Sequence, residues 1–134
     1  FLEGVEKKIM IQCDARQLRQ VITNLLQNSV DSIAARNKAS KIYSGKIKIL
    51  LSIEERFGSI VISDNGKGLP KENRHRLTEP YVTTREKGTG LGLAIVSKII
   101  EDHRGIFRIE DGGLSGSGAT ATVKIPILHN STVL

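Results

Sequence analysis

Along the chain the spacing of apolar residues switches between two periods, and each switch marks an element. Lys7 to Cys13 (KKIMIQC) is a short apolar run that predicts a strand. Asp14 then offers an N-cap, with Gln17 as its reciprocal partner in a capping box. Leu18, Val21, Ile22, Leu25, Leu26 and Ile33 recur at helical spacing, so Asp14 to about Asn37 is expected to form an amphipathic helix. Lys38 to Gly45 is a polar connection. Ile47, Ile49, Leu51 and Ile53 alternate, and Ser59 to Ser63 (SIVIS) reads as a second strand, with Arg56, Phe57 and Gly58 turning between them as a hairpin. From Asp64 to Gly90, glycines, prolines and charges break every period, apart from one helical turn expected near Lys71 to Leu77. A long segment of this kind inside a small domain is expected to be a functional lid. Leu91 to Asp102 is an almost wholly apolar helix that should be buried, and Ile106 to Glu110 and Ala119 to Ile125 are strands joined across Gly112-Gly113. The tail after Pro126 is expected to fray.

Composition alters this picture in a few places. With 134 residues the chain is expected to be one domain spanning 1–134. A content of 39% hydrophobic and 25% charged residues describes an ordinary globular domain, not a disordered one. The longest mostly apolar run, Leu91 to Ile100, is far shorter than the ~20 residues of a membrane span. No secretory leader is visible, and with Cys13 the single cysteine, no internal disulfide or thiolate zinc cluster can form. A reducing, cytoplasmic setting is the expectation. The chain opens on Phe1 without an initiator Met and reads as a piece of something longer. His75, His103 and His129 have no metal-ligand spacing. The net charge of +6 admits nucleic acid, an acidic membrane surface or a polyphosphate as partner. No Trp, two Tyr and three Phe supply base stacking poorly, so direct nucleic-acid binding is disfavoured.

Three patterns carry chemistry. Gly88-Thr89-Gly90-Leu91-Gly92-Leu93 brings alternate glycines directly into a helix, where unpaired N–H groups and the positive helix end would face a phosphate. A flexible turn before a core helix would have the same sequence. The pattern is not a Walker A loop, and no strand precedes it as in a dinucleotide fingerprint. Asp64-Asn65-Gly66-Lys67-Gly68 follows the SIVIS strand: it would serve as a plain turn, or as a carboxylate that accepts from an exocyclic amine beside glycines that admit a flat base. Asn24, Asn28 and Asp31 fall on one stripe of the long helix, where they could be solvated or could supply an amide oxygen to Mg²⁺.

The order of these elements resembles the catalytic, ATP-binding domain of sensor histidine kinases. Asn24-Leu25-Leu26-Gln27-Asn28 looks like their N box, Asp64 to Gly68 the G1 box, Pro80-Tyr81-Val82-Thr83-Thr84 the F box, and Gly88 to Leu93 the G2 box. Gly116-Ser117-Gly118 with Pro126 looks like the terminal glycine-rich strand, and Glu79 to Arg85 is most similar to the nitrogen-regulation (NtrY-like) subgroup. The resemblance covers about Val5 to Pro126. It implies an α+β fold, a two-layer α/β sandwich of the Bergerat type with a mixed sheet of about five strands, about three helices on one face and a long ATP lid.

Further implications concern single residues. Asp64 would hold the adenine amine, with Gly66 and Gly68 shaping the base pocket. Asn28 would bind Mg²⁺, and Asn24 would lie near the reacting end. Gly88, Thr89, Gly90, Leu91 and Gly92 would line the phosphates, and Asp31 and Thr84 are also expected among the nucleotide-binding residues. The chain departs from the family at Asp31, an acid where many of these kinases carry a phosphate-contacting base, and Gln27 does not compensate. Arg85, and after it Lys87, is then expected to neutralise the γ-phosphate. Ala119 stands where a Thr is usual.

The implied activity is transfer of the γ-phosphoryl group of ATP, with Mg²⁺, to a His on a separate dimerisation domain, and onward signalling to a response regulator. The whole protein would be a membrane-anchored homodimer of the bacterial inner membrane. An anti-sigma-type serine kinase or a gyrase/chaperone-type ATPase would use the same pocket; the latter normally places Glu where Asn24 sits.

Overall fold

The computed structural model describes residues 2–3, 9–39, 44–69 and 92–127. Element order is β1 (Leu2–Glu3), α1 (Ala15–Ala39), β2 (Ile47–Glu54), β3 (Phe57–Asp64), α2 (Gly92–Asp102), β4 (Ile106–Asp111) and β5 (Ala119–Pro126), with a 3₁₀ turn at Leu114–Gly116. The strands form one sheet in the order β1-β2-β3-β5-β4. β2, β3, β5 and β4 are antiparallel to their neighbours, and the short β1 adds a parallel edge, so the sheet is mixed. This is the expected α+β sandwich, with two α-helices among the described residues.

Strict alternation sorts the sheet into two faces. Ile62, Ala121, Val123 and Ile125 face the helices and pack with Val21, Leu25, Val96, Ile99 and Ile100. α1 and α2 pack on each other as well as on the sheet, which closes the core from one side. The apolar stripe read along α1 thus finds its partner: Val21 is 0% exposed and Leu25 2%. The capping box forms in part, with Gln17 N–H donating to Asp14 Oδ1 at 3.1 Å. A longer-range tie reinforces it. Asp14 N–H donates to His103 Nε2 at 3.0 Å, so Nδ1 carries the proton and donates to the Ile99 carbonyl at 2.7 Å. One neutral imidazole therefore joins the start of α1 to the end of α2.

Four expectations are corrected. In the run Lys7 to Cys13, the described residues form no strand and contribute only an isolated bridge, Ile11 to Ile127. Both edges of β3 are already paired, with β2 and β5, so the segment instead lays Ile9 and Ile11 over Gly58. That covering also explains the hairpin. The turn is Glu55-Arg56, while Phe57 and Gly58 belong to β3, opposite Glu54 and Ile53. β4 and β5 are joined not by a tight diglycine turn but by residues 112–118, including the 3₁₀ turn. On α2 the buried residues are Val96, Ile99 and Ile100, while Lys98, Glu101 and Asp102 are exposed, so the helix is amphipathic and not wholly buried. The helical turn expected near Lys71 to Leu77, the expected lid beyond residue 69 and the tail beyond residue 127 lie outside the described residues.

Candidate functional site

One stripe of α1, spaced four residues apart, organises the candidate site: Asn24, Asn28, Ser32 and Arg36. Each end of the stripe meets a different motif. Asn24 Nδ2 approaches the Gly92 carbonyl at 3.5 Å, the outer limit of a hydrogen bond, where α2 begins. Two turns further on, Ser32 receives the D-N-G-K-G loop. Its carbonyl accepts from Lys67 N–H at 3.2 Å and its Oγ from Gly68 N–H at 3.4 Å. Gly66 rests directly against Ser32, so that a Cβ there would overlap both its side chain and its backbone. Between these contacts α1 runs about 12 Å. Asn28 sits at the middle, partly buried, and its amide has no hydrogen bond to a described residue.

Asp64 ends β3 and is only 4% exposed. Its Oδ1 accepts from Gly66 N–H at 2.8 Å and from Ala119 N–H at 3.3 Å. Oδ2 receives no hydrogen bond from a described residue, so among the described residues only Oδ1 is anchored. Gly113 and Gly118 press on the Asp64 carbonyl so closely that neither position has room for a Cβ. Gly68 adopts a left-handed φ of 84°, beside Asp111, whose Oδ1 accepts from Leu69 N–H at 3.2 Å. The terminal glycine-rich segment thus clamps the loop that carries Asp64. Where Thr is usual in the resembled family, Ala119 contributes its backbone N–H.

Asp31 is held on its own helix, with Gln27 Nε2 donating to its Oδ1 at 2.9 Å. Among the described residues no group of three or more His, Cys, Asp or Glu could hold a metal. The Lys98 ammonium is held above its ordinary pKa by its hydrogen bond to Asp102, then by the charges of Asp102 and Glu101; it is exposed. A shallow depression of about 470 Å³, lined by Glu54, Glu55, Phe57, Ile106 and Lys124, lies at the other end of β3, on the order of 20 Å from Asp64.

Of the residues expected at the site, the structure brings Asn24, Asn28, Asp64, Gly66, Gly68 and Gly92 around one stretch of α1, with Asp31 beside them on the same helix. Thr84, Arg85, Lys87, Gly88, Thr89, Gly90 and Leu91 lie outside the described residues. Sequence reasoning missed Ser32, Arg36, Asn65, Gly113 and Ser117. Ser32 and Arg36 had a signal, since they continue the Asn24–Asn28 spacing. Asn65 lies in the D-N-G-K-G run, but nothing in that pattern shows that its side chain bonds the backbone of Lys46 and Ser44.

Residues 13–129 match the family described as histidine kinase-, DNA gyrase B-, and HSP90-like ATPase. The chain belongs to that family. Within it, the chain is 47% identical over 108 residues to the nitrogen regulation protein NtrY of Azorhizobium caulinodans, covering 79% of this chain and 14% of that protein. It is 38% identical over 129 residues to the signal transduction histidine-protein kinase AtoS of Escherichia coli, covering 95% of this chain and 20% of that one. Among solved structures, the nucleotide-free catalytic domain of the histidine kinase ThkA superposes with a TM-score of 0.75 at 29% identity, over 93% of this chain and 77% of that one. The chain is therefore a histidine-kinase-type ATPase domain with NtrY-like sensor-kinase relatives, and it spans a small part of the curated relatives' length.

Proposed function

We propose that this chain binds ATP with Mg²⁺ and transfers the γ-phosphoryl group to a His of a dimerisation domain elsewhere in a sensor kinase. In this reading the product phosphohistidine is passed to a cognate response regulator, and the full-length protein is a membrane-anchored homodimer whose catalytic domain lies in the cytoplasm. The carrying observation is the stripe of α1 that joins the Asp64 loop to the start of α2, with Asn28, whose amide bonds no described residue, between them. Among the described residues no helix is long and apolar enough to cross a membrane.

In this reading each role falls to particular atoms. Oδ2 of Asp64 is the acceptor for the exocyclic amine of adenine, held in place because Oδ1 accepts hydrogen bonds from the N–H groups of Gly66 and Ala119. Asn28 fits a single amide-oxygen ligand for Mg²⁺, which when bound neutralises charge on the phosphate oxygens. Gly92 opens α2 toward the same space, so the positive end of that helix favours the phosphates. Transfer breaks the bond from the γ-phosphorus to its bridging oxygen and forms one to an imidazole nitrogen of the acceptor, with ADP leaving. Asn24 is an amide and takes no proton from water, which favours transfer over hydrolysis as the chain's reaction. Arg85 and Lys87 supply the remaining positive charge. An anti-sigma-type serine kinase would use the same groups on a serine acceptor.

The test is calorimetric titration with ATP, with and without Mg²⁺, followed by labelled ATP mixed with a helical His-bearing acceptor domain. Mg²⁺-dependent binding and labelling of the acceptor alone are expected. Stoichiometric self-phosphorylation of the 134-residue chain would overturn the assignment of the acceptor to another domain.

A further inference from the structure

The peptide joining Asn65 to Gly66 is gripped at both of its polar ends. Its N–H donates to Asp64 Oδ1 at 2.8 Å. Its C=O accepts from Arg36 Nη1, which donates to Ser117 Oγ as well. Ser117 Oγ also lies 3.5 Å from the same carbonyl. The peptide is planar, so its C=O and N–H turn together. Holding the carbonyl therefore fixes the direction of the N–H that aims the Asp64 carboxylate. Without that hold, the plane adjoins a glycine, the residue least resistant to a backbone rotation.

The Asn65 side chain is tied the other way, toward the segment entering β2: its Oδ1 accepts from Lys46 N–H at 2.7 Å and its Nδ2 donates to the Ser44 carbonyl at 2.8 Å. Those bonds hold Cα of Asn65, not the plane that follows it. Arg36 approaches from α1, one turn beyond Ser32, and a guanidinium suits a site where two acceptors must be reached at once.

We propose that Arg36 is a positioning residue for base selectivity: by fixing the Asn65–Gly66 peptide plane it sets the direction of Asp64 Oδ2, and with it the preference for a purine bearing an exocyclic amine over one bearing a carbonyl. This rests on the nucleotide reading above, and the experiment separates the two. Affinities of the 134-residue chain for ATP and ITP are measured by calorimetry with Mg²⁺, in wild type, Arg36→Ala, Arg36→Lys and Asp64→Asn, alone and combined.

Arg36→Ala is expected to weaken ATP about tenfold, on the scale of one lost charge-assisted hydrogen bond, and ITP far less, so that the ATP/ITP ratio collapses. Arg36→Lys, which still donates to the carbonyl, should restore part of that ratio. In the Asp64→Asn background Arg36→Ala should have no further effect on it. An unchanged ratio in Arg36→Ala, or full additivity with Asp64→Asn, would overturn the proposal while leaving the nucleotide site intact. Should Arg36→Ala fail to fold, Arg36→Met, which keeps a long side chain on α1 but cannot donate to the Asn65 carbonyl, carries the same comparison, and a wild-type ratio in it would overturn the proposal equally. Failure of the wild type to bind ATP would remove the nucleotide reading and this inference together.

Discussion

Asp64→Asn separates binding from folding because the two carboxylate oxygens do different work. Oδ1 accepts two buried backbone N–H groups, from Gly66 and Ala119, while Oδ2 receives none from a described residue. An asparagine keeps both backbone bonds if its carbonyl oxygen takes the Oδ1 position. Its NH₂ then replaces Oδ2 and presents a donor to the adenine amine, itself a donor. The mispaired polar contact should cost about 1–3 kcal/mol, or roughly 5-fold to 150-fold in ATP affinity. Folding should change by less than about 1 kcal/mol, since both backbone bonds persist in weaker, neutral form. Asp64→Ala is the contrasting variant: it strips both N–H groups of their acceptor in a residue 4% exposed, and should cost about 2–6 kcal/mol of stability. Calorimetry for ATP and thermal unfolding of both variants decide the matter. ATP affinity equal to wild type in Asp64→Asn would refute the reasoning, as would a loss of affinity that merely tracks a fall in Tm.

Other expectations rest on separate features. Gly66→Ala drives a Cβ into the backbone of Ser32 and should displace the bonds from Lys67 and Gly68, a loss of about 2–4 kcal/mol that lowers Tm and ATP affinity together; removing the Ser32 side chain should not rescue it, because the backbone remains in the way. Glu55 opens the hairpin turn at a φ of 55°, so Glu55→Gly should raise stability by about 0.5–1 kcal/mol in thermal unfolding and leave nucleotide affinity untouched. Arg85→Ala should lower the rate of transfer to an acceptor domain more than it lowers ADP affinity; matched losses would assign Arg85 to uniform binding.

Local pattern was a good guide wherever one face of an element is apolar. The helix expected from Asp14 to about Asn37 is found at Ala15–Ala39, because a stripe such as Val21 and Leu25 has one way to be buried. The hairpin and the last two strands were legible for the same reason. Pattern misled at Lys7 to Cys13, whose residues have strand composition yet find both edges of β3 taken. It also misplaced Gly58, which looks like a turn residue but is a strand residue covered by Ile9 and Ile11.

The chemistry divides in the same way. The order of Asn24, Asn28, the D-N-G-K-G run and the Gly88-to-Leu93 run resembles the histidine-kinase catalytic domain, and the family match over residues 13–129 agrees with that resemblance, although each run alone admits a plainer reading. What the sequence left undetermined was which atoms meet: that Oδ1 of Asp64 accepts from the backbone of Gly66 and of Ala119, and that Arg36 reaches Asn65 and Ser117. Those facts belong to the tertiary structure, since a hydrogen bond between residues 29 or 81 positions apart depends on how helix and sheet pack, and local spacing carries no record of that distance.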